Sequence, residues 1–141
     1  MLVLDTDALW HRPLLDALVE ARACGFGTPQ LRVVLPVVAF AERVRQLQRD
    51  SRPEAPWLAG LQRMGVEVES LDVSLAARMP AGARDDATWR VHARDFLIAA
   101  HVRADASGVT SDIGPAWKGI PVMTPPQAAA AVRALMGAPP S

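Results

Sequence analysis

The sequence predicts an α/β fold, a three-layer α/β/α domain built around a mostly parallel sheet of four to five strands. Two observations predict it. Short aliphatic runs near residues 2–4, 31–35, 66–71, 108–111 and 120–123 alternate with longer stretches whose apolar residues recur every three to four positions. The runs are separated by helix-length segments rather than tight turns, the pattern of parallel strands joined by crossover helices and covered on both faces. The length, 141 residues, suits one domain with its own core, here 1–137 followed by a short C-terminal tail, 138–141.

Leu2 to Leu4 form an apolar strand that ends in Asp5-Thr6-Asp7 and leaves for a turn. Pro13 opens a helix with Leu14, Leu15, Leu18, Val19 and Arg22 at helical spacing, and Cys24-Gly25 closes it. Residues 25–30 read as a loop and 31–35 as the second strand. Pro36 starts a helix whose stripe is Val37, Phe40, Ala41, Val44 and Leu47, fading over 51–56. A further helix covers 57–64 and stops at Gly65. Val66 and Val68 then alternate with Glu67 and Glu69 in a third strand, an edge strand by its exposed glutamates. A short helix over 74–79 and a polar loop over 80–88 lead to a stripe of Trp89, Ala93, Phe96, Leu97 and Ala100 that runs to about residue 104. The fourth strand, a turn rich in Gly and Pro, the fifth strand and a last helix from Pro126 to near Gly137 complete the chain.

Composition narrows the setting. The only cysteine, Cys24, has no partner for a disulfide, which points to a reducing, cytoplasmic location, and it reads as a small buried hydrophobe at a helix end. The longest apolar run, 33–41, is interrupted by Pro36 and flanked by Arg32 and Glu42, so neither a signal peptide nor a membrane span is expected. Lys and Arg number 15, as do Asp and Glu, and a neutral chain offers no basic surplus to attract nucleic acid. All but one of the basic residues are arginine, however, the side chain suited to bidentate phosphate contact.

In open parallel sheets, ligands gather at the carboxyl ends of the strands. Asp5 ends the first strand, and Asp112 immediately follows the fourth. Glu42 lies in the second turn of the helix leaving strand two, and Asp95 in the N-terminal half of the helix entering strand four. All four are therefore expected at one rim. Two carboxylates about 4 Å apart repel by roughly 4 kcal/mol at an effective dielectric near 20, so the group needs a neutralising partner. Hard oxygen ligands without thiols suit Mg²⁺ or Mn²⁺, and such ions support hydrolysis of phosphodiesters. Two divalent ions in the pocket would give the remaining surface roughly four positive charges, a field favourable to RNA. Asp7, Thr110 and Ser111 are auxiliary candidates at the same rim, and Arg45, Arg49 and Arg52, along the Glu42 helix, are candidates for RNA phosphates.

The motifs Leu2-Val-Leu-Asp5-Thr-Asp7-Ala-Leu, Val38-Ala-Phe-Ala-Glu42, Ala93-Arg-Asp95-Phe-Leu-Ile-Ala-Ala100 and Val109-Thr-Ser-Asp112 resemble, in order and spacing, the acidic motifs of PIN-domain ribonucleases, above all the short VapC-like toxins. That resemblance implies a PIN-like fold and a metal-dependent endoribonuclease with Asp5, Glu42, Asp95 and Asp112 as catalytic metal ligands. It also implies inhibition by a cognate antitoxin in a toxin-antitoxin pair, and a homodimer. In that family the region around the Trp57, Leu58, Leu61 and Met64 helix often forms the dimer or antitoxin surface. The chain departs from the family at Asp7, where Asn is common, and at Asp112-Ile-Gly-Pro115-Ala-Trp117, which lacks a second polar residue just after the fourth acid.

Each residue also has a plainer reading. Asp5 can cap the following turn, Glu42 can pair with Arg45 three residues on, Asp95 can be a solvated helix acid, and Asp112 can be a turn residue. His11, His92 and His101 have no zinc spacing and read as surface or packing residues. Three other functions compete. A catalytically silent PIN-like protein would act by binding alone. A haloacid-dehalogenase-type phosphatase would use Asp5 as nucleophile but needs a lysine before a late acidic pair, whereas the only lysine, Lys118, follows Asp112. A signalling receiver would use Asp72 and a lysine after the last strand, and Lys118 precedes it.

Overall fold

The computed structural model describes residues 1–26 and 31–137. The expected tail, 138–141, and most of the expected 25–30 loop lie outside the described residues. Five strands, β1 Leu2–Leu4, β2 Val33–Pro36, β3 Val66–Glu69, β4 Ser107–Val109 and β5 Val122–Met123, pair in the order β3-β2-β1-β4-β5. Every pairing is parallel, with Val3 of the central strand opposite Val34 on one side and Gly108 on the other. The helices are α1 Arg12–Ala23, α2 Val37–Arg49, α3 Ala55–Met64, α4 Val73–Ala76, α5 Asp86–Ala99 and α6 Pro125–Leu135. They lie on both sides of the sheet, giving three layers.

The strand order has a direct consequence for where a ligand fits. From β1 the chain moves outward through β2 to β3, then returns past β1 to place β4 on its other side. Right-handed crossovers send connections that travel in opposite directions to opposite faces. Accordingly α1 packs with α3, and also with α6, whereas α5, on the returning connection, packs with the 3-10 segments Ala81–Arg84 and Pro115–Trp117; α2, although it leaves β2 on the outward connection, packs with α5. The crevice between β1 and β4, at their carboxyl ends, is the switch point of the sheet.

Local chemistry sets the helix ends. Pro13 stands in the first turn of α1, and the Thr124 and Gln127 side chains form a capping box on α6. Gly65 closes α3 at φ 68°, a left-handed conformation that favours glycine. Asp85 accepts from the Thr88 backbone N–H at 2.9 Å and starts α5. The segment expected as a polar loop over 80–88 is thus a 3-10 turn plus the first turn of α5. That helix ends at Ala99, short of residue 104, and its backbone leaves helical geometry at His92 (φ −118°, ψ 16°).

Leu4, Leu14, Leu18, Leu35, Phe96 and Ile98 are wholly or almost wholly buried and form the centre of the core. Trp117 joins them by lying over Gly108 of β4, where a Cβ would stand 2.6 Å from the indole ring. The α3 stripe serves the core as well: Leu61 and Met64 are buried, and Trp57 stacks on Phe40 at 5.4 Å between ring centroids. Cys24, expected to be buried, is exposed, because it caps the C-terminus of α1 rather than sitting on its inner face. Among the described residues no helix is long and apolar enough to cross a membrane.

Candidate functional site

β1 delivers Asp5 to the switch point. Its backbone N–H donates to the Val109 carbonyl at 3.0 Å, so the residue sits where β1 and β4 part. The carboxylate is buried, and one oxygen accepts from the Thr6 N–H at 2.7 Å, capping the 3-10 turn Thr6–Trp10. The other accepts from the Thr110 hydroxyl at 2.8 Å. The capping reading of Asp5 therefore holds, and the same carboxylate stands at the switch point of the sheet. Burial pushes its pKa above the ordinary aspartate value, against the opposing pull of Arg94, Thr110 and the Thr6 N–H.

The partner that the acids share is Arg94. From α5 its Nε donates to Glu42 Oε2 and its Nη1 to Asp95 Oδ1. Its Nη2 donates to Asp5 Oδ1 at 3.0 Å, to Glu42 Oε1 at 3.0 Å and to the Thr6 hydroxyl at 2.9 Å. Asp5 lies 89 positions away in sequence and Glu42 lies 52 away. Burial draws the guanidinium pKa down, but the Glu42 hydrogen bonds and the charges of Asp5, Glu42 and Asp95 outweigh it and hold the group above the ordinary arginine value. The anticipated Glu42–Arg45 pair is replaced by Glu42–Arg94, a contact across two elements. Arg43, next to Glu42, turns away and lies 3.9 Å over the Trp10 ring.

Asp5, Glu42 and Asp95 are thus brought together, and Asp112 is not. β4 ends at Val109 rather than at residue 111, so Asp112 stands on the following turn and is exposed; among the described residues its carboxylate takes part in no ion pair. Asp95 sits in the C-terminal half of α5, not the N-terminal half, because the helix begins earlier and ends earlier than its apolar stripe indicated. Asp7 Oδ2 accepts from the Ser111 N–H at 2.7 Å and ties the turn after β4 to the turn after β1. Its Oδ1 is buried without a partner. Thr110 links both sides, since its hydroxyl also accepts from the Asp112 N–H at 3.1 Å.

Arg45 and Arg49 follow Glu42 by three and seven positions, one flank of α2, and both are exposed. Arg49 pairs with Asp50 at 3.0 Å, and Arg52 lies past the end of α2. Of the histidines, His92 Nδ1 stands 3.8 Å from Asp95, while His101 is buried and shares a 2.7 Å hydrogen bond with Glu69. Lys118 is exposed at the end of its 3-10 turn and pairs with none of the site acids.

The donor set is three carboxylates and one guanidinium, an excess of negative charge, with the orphaned Asp7 oxygen beside it. Hard oxygen donors with uncompensated charge fit a divalent cation of the Mg²⁺ or Mn²⁺ type. Among the described residues no three His, Cys, Asp or Glu side chains stand in a metal-ligating arrangement, and Arg94 lies against Asp5, Glu42 and Asp95. Motif spacing revealed the acids but not Arg94. The available signal was that carboxylates meeting at one rim need a counter-cation, and both Arg94, next to Asp95, and Arg43, next to Glu42, are adjacent to a site acid, a signal that does not choose between them.

A groove of about 400 Å³ lies between α1 and α3, apart from these acids, lined by Leu9, Leu15, Val19, Trp57 and Met64 with charged residues at its rim. Comparison of the chain with known protein families, with curated proteins and with solved structures returned no match.

Proposed function

We propose that the chain is a PIN-type, metal-dependent endoribonuclease, the VapC-like toxin of a toxin-antitoxin pair. The observation that carries this reading is the meeting of Asp5, Glu42 and Asp95 on a single cation at the switch point of a parallel sheet. Such clusters are electrostatically unfavourable unless neutralised, so their convergence from three segments calls for a chemical reason.

Asp5, Glu42 and Asp95 would hold Mg²⁺ or Mn²⁺; Asp112, the fourth acid of the family resemblance, stands exposed on the turn after β4. The ion, when bound, supplies an activated water and charge stabilisation for attack on a backbone phosphate. Thr110 fixes the Asp5 carboxylate in orientation through its 2.8 Å hydrogen bond. Asp7 secures the turn that bears Ser111 and Asp112. Arg45 and Arg49 flank the pocket on α2 and offer phosphate contacts along the RNA. By the family resemblance, cleavage leaves a 5′-phosphate on one fragment. The groove between α1 and α3 and the exposed Leu58 suit the homodimer or antitoxin contact that the family resemblance implies.

One observation favours a second reading. Arg94 already neutralises part of the cluster, as it would in a catalytically silent PIN-like protein that only binds RNA or protein. Incubating purified protein with mixed cellular RNA separates the two. Catalysis predicts cleavage in Mn²⁺, none in EDTA, and a loss on the order of a hundredfold or more for Asp95→Asn, the scale of removing one charge-stabilising group. No cleavage by a folded wild type in Mn²⁺ would leave the silent reading.

A further inference from the structure

We propose that Arg94 is a built-in counter-cation, and that its guanidinium and a divalent ion occupy the carboxylate pocket in mutual exclusion. The inference deepens the metallonuclease reading and rests on it. All three guanidinium nitrogens are engaged, and between them they reach both oxygens of Glu42 and one oxygen each of Asp5 and Asp95. The remaining Asp5 oxygen takes the Thr110 hydroxyl, and the remaining Asp95 oxygen faces His92 Nδ1 at 3.8 Å. Every ligand oxygen but that one of Asp95 therefore already accepts a hydrogen bond.

Size adds to the conflict. A planar guanidinium holds its acceptors around a wide fork, whereas Mg²⁺ draws its oxygens to about 2.0–2.1 Å from one point. The same three carboxylates cannot satisfy both at once. Arg94 also has a way out, since its side chain is 38% exposed while the Asp5 carboxylate beneath it is 4% exposed. An ion entering the pocket pushes the arginine into water rather than into the core.

Mutual exclusion makes a quantitative demand, because an ion that binds only the arginine-out state sees its affinity reduced by the fraction of molecules in that state. If the arginine-in state holds nine molecules in ten, removing it tightens binding about tenfold. The test is Mn²⁺ titration of the full chain by calorimetry, without RNA, for wild type, Arg94→Gln and Arg94→Lys, with melting temperatures in EDTA and in Mn²⁺. Arg94→Gln is expected to bind Mn²⁺ about tenfold more tightly or better, to melt lower in EDTA, and to gain more from Mn²⁺ than wild type does. Arg94→Lys, which keeps the charge but not the fork, is expected to fall between, and it decides the matter if Arg94→Gln does not fold in EDTA.

Equal affinity in wild type and variants would overturn the inference while leaving the metal site in place. Weaker binding by both variants would also overturn it, by showing that Arg94 organises the ligands. Binding by none of the three proteins would remove the metal reading, and the inference with it.

Discussion

Asp5 shows how one side chain serves local structure and site chemistry together. Its carboxylate caps the turn after β1 and also receives Arg94 and Thr110. Burial nevertheless raises its pKa, so the ionised form weighs against folding. The sign follows from linkage. A carboxyl whose folded pKa exceeds its unfolded value favours folding most below the unfolded value, about 3.9, and that contribution is lost as pH rises through the folded pKa. Thr110→Val keeps the shape and deletes a hydrogen bond to the charged form. It is expected to destabilise by about 1–3 kcal/mol at pH 7 and by clearly less near pH 3, read from urea unfolding at both pH values. An equal loss at both would show that the hydroxyl does not support the carboxylate. At this scale the acids were legible because each has a recognisable place, Asp5 at the end of β1, Glu42 and Asp95 on helices and Asp112 just past β4, whereas Arg94 was not, because its role depends on Asp5 and Glu42 in other segments as well as on its neighbour Asp95.

Elements show where sequence pattern stops short. Strand four was found by its apolar residues, but Gly108 is explained only by Trp117, nine positions later, whose ring lies where a Cβ would be. Gly108→Ala is therefore expected to destabilise by about 1–3 kcal/mol through overpacking, seen as a lower melting temperature and a lower urea midpoint. Retention of wild-type stability would mean the ring has room to shift. The edge strand β3 was legible from its alternating glutamates, yet its anchor was not. Glu69 accepts from Arg103 at 2.6 Å and from the His101 Nδ1–H at 2.7 Å. Burial pushes the Glu69 pKa up, but the hydrogen bonds from Arg103 and His101 prevail and hold it below the ordinary glutamate value. A depressed carboxyl stabilises above its unfolded pKa, about 4.3, and the benefit is lost as pH falls through the folded value. Glu69→Gln should accordingly cost about 1–3 kcal/mol at pH 7, with the gap to wild type closing as the pH drops below about 4 in chemical denaturation. The limits of α5 were misjudged for a related reason: its start is set by the polar Asp85 cap, not by the apolar stripe.

For the whole molecule, the alternation of strands and helices made the three layers legible, and the order β3-β2-β1-β4-β5 explains why acids distant in sequence gather where β1 and β4 part. The closing of that pocket by an internal arginine was not legible, since it depends on the packing of α5 against α2 rather than on any spacing. Net charge is zero, so attraction for RNA cannot come from a general basic field. On the proposed ribonuclease reading it would arise locally, from the exposed α2 arginines and from neutralisation of the acids. Binding of a short single-stranded RNA is therefore expected to be weak in EDTA and stronger in Ca²⁺, under conditions where the RNA is verified to stay intact. Its salt dependence should be shallow, because each phosphate contact contributes only about 0.7 to the logarithmic slope for single strands. Arg45→Ala should lower that slope by about 0.7 and weaken binding to unrelated sequences alike, as a phosphate contact does and a base contact does not. A steep slope indifferent to Arg45→Ala would place the RNA on another face and separate binding from the α2 flank. Affinity unchanged between EDTA and Ca²⁺ would separate it from the carboxylates.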